Sequence, residues 1–209
     1  MALPWRRAPP QRVEMTLYWL PLGAGGARVV RWSGACYETM SARREHRAPR
    51  DLYHCALAVG EYVIEMAPVW SLREPHRGVV AEGPVGLRWL GRSALFRYEV
   101  RRWRHGRIPD AAFAVGGPVP LSTDPELAAR LLALVPSFPT ATWGRDELGT
   151  GDMWNSNSLI SWLLTRAGYP AGDVPLPVGG RAPGWSAGRV VALTGGSRGP
   201  VRPGSEHDN

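Results

Sequence analysis

The sequence predicts a single α+β domain. Three observations carry that prediction. Strand-like segments crowd the first half, helices with recognisable caps fill the second, and no linker long enough to divide the chain interrupts them. The chain has 209 residues, enough for one sizeable core. Its apolar content of 44% and charged content of 21% are those of an ordinary globular protein.

The elements follow in order. Residues 1–12 hold three Arg and three Pro and read as a flexible arm. Met15 to Leu20 and Ala27 to Trp32 read as strands joined across Gly23-Ala-Gly-Gly. Residues 37–50 suit a short helix with an Arg-rich exposed side. Cys55 to Val59 and Tyr62 to Met66 flank a tight turn. From Leu95 to Trp103, Phe96, Tyr98 and Val100 alternate with Arg97, Glu99 and Arg101, the pattern of a half-buried strand. Asp124-Pro125 opens a helix, with Asp as N-cap and Pro at the first helical position. Leu127, Leu131 and Leu134 share one face of it, and Pro136 ends it. A second helix runs from about Asn157 to Ala167, with Gly168 as its C-cap. Beyond it the chain reads as loop, with a last strand expected at Arg189 to Leu193. Residues 195–209 are rich in Gly, Pro and polar residues and read as a disordered tail, which leaves 13–194 as the folded domain.

Composition narrows the function. The net charge is +7, and all 25 basic positions are Arg, with no Lys. The Arg cluster as Arg43, Arg44, Arg47 and Arg50, and again as Arg101, Arg102, Arg104 and Arg107. Glu, Pro and apolar residues break both runs and no recognition module is visible, so nucleic-acid binding is not expected. No Cys-x-x-Cys and no His pair on one helical face is present, so neither metal nor cofactor is expected. No run is long enough for a membrane span, and no apolar h-region follows the basic N-terminus. A cytoplasmic protein is the expectation. Ten Trp are scattered from Trp5 to Trp185 and suit core packing better than a sugar or base platform.

Two segments carry candidate chemistry. The first is Tyr53-His54-Cys-Ala-Leu-Ala-Val-Gly60-Glu-Tyr-Val-Ile-Glu65-Met-Ala-Pro68, with a His opening one apolar strand and a Glu inside the next. With a two-residue turn, His54 and Glu65 fall on one face of the hairpin, where a carboxylate can orient an imidazole for use as a base. A three-residue loop would separate them onto opposite faces. The second segment is Trp154-Asn155-Ser156-Asn157-Ser158-Leu, at the start of the second helix. Unpaired backbone amides and the helix dipole favour negative charge there, on a nucleophile or on an oxyanion.

The first segment resembles the His-containing hairpin of the lecithin:retinol acyltransferase-like proteins, in the circularly permuted branch of the papain-like (NlpC-type) enzymes. That family writes His, an apolar strand ending Val-Gly, then Val-Ile-His-Leu-Ala-Pro; here Val63-Ile64-Glu65-Met66-Ala67-Pro68 stands in that place. The second segment resembles the family's Asn-Cys-Glu-His-Phe or Asn-Cys-Asn-Thr-Phe, written here Asn155-Ser156-Asn157-Ser158-Leu159. The resemblance implies an antiparallel sheet with a nucleophile-bearing helix packed on it. His54 then takes the base position, Glu65 the orienting position and Ser156 the nucleophile position. Asn155, Trp154 and Asn157 would lie near substrate or oxyanion.

Ser replaces Cys as nucleophile, and a hydroxyl needs full general-base help where a thiol does not. A Ser-His-Glu centre would supply it and would cleave or transfer an amide, ester or thioester of a small molecule or peptide. The competing reading is a retired enzyme, in which Ser156 is an N-cap, Glu65 an ion-pair partner of Arg, and the cleft binds a peptide, acyl group or protein. Ser158 and Cys36 are the remaining nucleophile candidates.

Overall fold

The computed structural model describes residues 12–23, 37–71 and 76–195. The expected strand at 27–32, Cys36, most of the N-terminal arm and the tail beyond 195 lie outside these residues. The described residues form an antiparallel sheet with three helices packed on one face, an α+β architecture. Its strands are β1 (Met15–Pro21), β2 (Asp51–Val59), β3 (Tyr62–Pro68), β4 (Val79–Pro84), β5 (Arg97–Arg104) and β6 (Val119–Ser122). They lie in the order β4-β5-β3-β2-β1-β6, and β7 (Gly180–Arg181) pairs parallel with the start of β2. The helices are α1 (37–44), α2 (Pro125–Leu134), α3 (Ser156–Ala167) and α4 (Trp185–Thr194). Among the described residues, no helix is long and apolar enough to cross a membrane.

Strand alternation divides the sheet into two faces. Met15, Leu17, Trp19, Tyr53, Cys55, Leu57, Ile64, Met66, Tyr98 and Val100 all point one way and pack against Leu127, Leu131, Leu159, Ile160 and Leu163 in one core. Leu20, Ala56 and Val63 point the other way, and although buried they belong to no part of that core. α3 sits centrally. Every residue from Ser156 to Leu164 is buried, as expected of a helix covered on all sides. α4 approaches it closely through Gly188, where a Cβ would stand 2.2 Å from the Ser158 carbonyl oxygen. Trp185 of α4 meets Trp19 of β1 with ring centroids 5.0 Å apart.

Two expectations need correction. Residues 189–193 belong to α4 and not to a strand. Their apolar run is Val190-Val191-Ala192-Leu193, with two β-branched residues, but Trp185 and Ala187 extend it into a helical face that tertiary packing completes. The polar side of β5 is not solvated: Glu99 is 1% exposed and Arg101 fully buried. β4 and β6 were not anticipated; each is short and ends in or contains Pro.

Candidate functional site

The β2–β3 turn is two residues long, Gly60-Glu61, with Val59 paired to Tyr62 and Gly60 at φ +56°. His54 and Glu65 therefore share a face. It is the face opposite the helices, because His54 alternates with Tyr53 and Cys55, both in the core on which α3 packs.

Glu65 does not orient His54. It lies directly opposite Arg101 in the β3–β5 register and accepts a hydrogen bond from Arg101 Nη1 at 2.9 Å. Arg101 Nε donates to Glu99 at 2.9 Å, and Glu99 also accepts from Arg77 Nε at 2.6 Å. Glu65, Arg101, Glu99 and Arg77 thus form one chain of alternating charge across β3, β5 and the approach to β4. Burial raises the Glu65 carboxyl above its usual range against the pull of Arg101. Burial also pushes Glu99 up, but Arg77 and Arg101 outweigh it and its pKa ends lowered. Asp110, in the loop after β5, is raised by burial and adds to the negative potential at Glu65. His54 is half-buried, and among the described residues its ring makes no hydrogen bond. Burial without a partner lowers its pKa to about 4, so the imidazole is neutral at physiological pH.

The start of α3 is a closed hydrogen-bonded unit. Asn155, not Ser156, is the N-cap. Its Oδ1 accepts from the amides of Asn157 at 2.9 Å and Ser158 at 3.3 Å, and Ser158 Oγ accepts from the Asn155 amide at 3.1 Å, a reciprocal capping box. Asn155 Nδ2 donates to the Pro183 carbonyl at 2.8 Å. Asn157 Nδ2 donates to Pro183 at 2.8 Å and to the Tyr53 carbonyl at 2.9 Å, and its buried Oδ1 has no partner. Gly184 makes room: at φ +86°, its Cβ would stand 2.3 Å from Asn155 Oδ1. Asp152 closes the unit by accepting from the Gly184 amide at 2.7 Å and from Ser186 Oγ at 2.8 Å.

The two motifs therefore meet in space. The residue before His54 is tied to α3 through Asn157. Among the described residues neither Ser156 nor Glu65 hydrogen-bonds to His54, and Ser156 is a buried first-turn residue. Trp154 is 1% exposed, stacked on Phe138 at 4.9 Å, and donates from Nε1 to the Pro139 carbonyl at 3.1 Å, which makes it a core residue. Trp162 is buried as well, and Trp143 packs edge-on against Tyr98. Cys55 is a free thiol in the core, its pKa raised by burial.

Arg101 and Glu99 are the polar residues that sequence reasoning missed as partners of Glu65. The available signal was a second acid and base on an alternating strand. The Arg clusters do not merge into one face. Arg101 and Arg102 point to opposite sides of β5, Arg47 is held by Glu38, and Arg104 by Glu61. Among the described residues, no cluster of His, Cys, Asp or Glu has the makings of a metal site. Comparison with protein-family models, with curated proteins and with solved structures yields no match.

Proposed function

We propose that this chain is a non-catalytic binding module, related in plan to the permuted papain-like proteins, and that it recognises a peptide, acyl group or protein partner. What supports the reading is the capping of α3. The amides at its start, which an oxyanion would need, are already held by Asn155 Oδ1. The rest of the centre is equally unfit. Glu65 is committed to Arg101, and a hydroxyl nucleophile without an aligned base is a weak acid. The papain-like relation stands on the order of the motifs and on the Asn157–Tyr53 bond that joins them. A reducing, cytoplasmic setting fits the free Cys55 thiol.

The test is reaction of the purified protein with a fluorophosphonate and with a smaller sulfonyl fluoride. The expected result is no labelling of Ser156 by either reagent. Labelling that disappears in both Ser156→Ala and His54→Ala would establish an activated serine and overturn the proposal in favour of an amidase, esterase or acyltransferase.

A further inference from the structure

A cleft of about 430 Å³ opens at the β4 edge of the sheet, and none of His54, Glu65 and Ser156 lines it. Glu82, Gly83 and Pro84 of β4, Arg97 of β5 and Thr140 line it, together with Arg88, Gly91 and Arg92 from the 3-10 turn Arg88–Arg92. Three guanidiniums thus face one carboxylate, a lining with a net charge of two positive.

The guanidiniums are poorly employed within the protein. Arg92 is exposed and makes no hydrogen bond or ion pair among the described residues. Arg97 Nη1 reaches Glu82 at 3.0 Å, but its Nε is buried without a partner among the described residues. Arg88 is 80% exposed and forks onto both oxygens of Glu147, at 3.3 Å each, a pair open to water that an anion can compete for. Glu147 is meanwhile held by the Thr142 amide and hydroxyl, at 2.9 and 2.6 Å. A buried N–H with nothing to bond is costly, and it leaves Arg97 held only through Glu82.

Trp89 is 67% exposed and stands on the same 3-10 turn, three residues before Arg92. Residues three apart share one side of a 3-10 turn, so Trp89, outside the cleft lining itself, stands on the same side of the turn as Arg92. A planar surface beside a basic cleft suits a ring attached to the anion.

We propose that this cleft binds a phosphate monoester carried on an aromatic group. The dianionic phosphoryl group matches the net charge of the lining, the forked guanidiniums of Arg92 and Arg97 hold its oxygens, and the ring lies on Trp89. The site goes beyond the binding role proposed above and does not rest on it.

The test is calorimetric titration of the full chain, at low salt, with inorganic phosphate and with phenyl phosphate. Phenyl phosphate is expected to bind more tightly than phosphate. Arg92→Ala and Arg97→Gln are each expected to weaken phenyl phosphate by about tenfold, the loss of a charge-assisted hydrogen bond. Trp89→Ala is expected to remove the preference for the phenyl ester, and Arg166→Ala, at an exposed position on α3, to change nothing. A mononucleotide and a phosphotyrosyl peptide then separate the two sources of such a group, and tighter binding of either supports the site. Failure of both anions to saturate, or unchanged binding by Arg92→Ala, overturns it. Arg92→Ala removes no contact among the described residues, so folding does not cloud the result. Fluorophosphonate labelling reads an activated serine and not this cleft, so failure of either proposal is distinguishable from failure of the other.

Discussion

His54 is half-buried without a hydrogen-bond partner among the described residues, and that has a measurable consequence. Its pKa is lowered from 6.5 to about 4 by burial, so the unfolded chain takes up a proton at this site before the folded one does. The contribution of His54 is fully present above pH 6.5 and declines as pH falls toward 4, by an amount on the order of 3 kcal/mol in all. Chemical denaturation of the wild type and His54→Gln across that window measures it. The stability difference is expected to shrink by most of that amount from pH 6.5 to 4. A difference that stays flat would mean that the ring is solvated. Position and parity of His54 were legible in the sequence, because a two-residue turn decides which face it shares. Its partner was not. Choosing between a His and an Arg for Glu65 requires knowing which strand lies on the far side of β3, and that strand, β5, is contributed from more than 30 residues away.

At the scale of elements, α3 depends on a cap built from two separate pieces of chain. Asn155 supplies the acceptor, Ser158 returns a bond to it, and Pro183-Gly184 closes the far side. Asn155→Ala removes an N-cap, worth about 1 kcal/mol, and leaves the Pro183 carbonyl one donor short in a buried place. A loss of about 2–3 kcal/mol is expected in urea melts, with no change of slope. Ser156→Ala, which breaks no hydrogen bond among the described residues, is expected to cost far less. The helix itself was readable from its apolar face and from Gly168, which adopts φ +93° as its left-handed cap. α2 was readable for the same kind of reason, since Asp124 caps it and Pro125 opens it. The cap residue of α3 was misplaced by one position, because Asn155, Ser156, Asn157 and Ser158 are all competent caps and only Pro183 and Gly184 discriminate among them. α4 was missed because it has no side-chain cap: Gly184 stands at its N-cap position and carries no acceptor.

At the scale of the molecule, the sheet separates two kinds of cohesion. One face is an apolar core under α2, α3 and α4, and the other holds the chain Glu65–Arg101–Glu99–Arg77. Such a network stabilises little in net terms, since desolvating its charges offsets most of their attraction, but breaking it is severe. Arg101→Met leaves Glu65 and Glu99 buried and short of their shared cation, and a loss of about 3–5 kcal/mol is expected. Arg104→Ala, three positions further along β5, breaks only an exposed pair with Glu61 and is expected to cost under about 1 kcal/mol. Thermal melts of the two variants decide the matter; comparable losses would show that the buried network carries no special weight.

The bond from Asn157 to the Tyr53 carbonyl spans 104 residues of sequence. The β1–β6 edge likewise joins the beginning of the fold to its middle, with Met15 opposite Ser122. Neither contact can form until a long stretch of chain has been drawn together, and that loop-closure entropy must be met before either contact repays it. Refolding is therefore expected to be slow, on the order of milliseconds to seconds, despite the helices of the second half. The junction that unites the two motifs in the native state is therefore expected to form late, with low φ-values at Tyr53 and Asn157 in refolding kinetics and α3 capped until then only by its own neighbours.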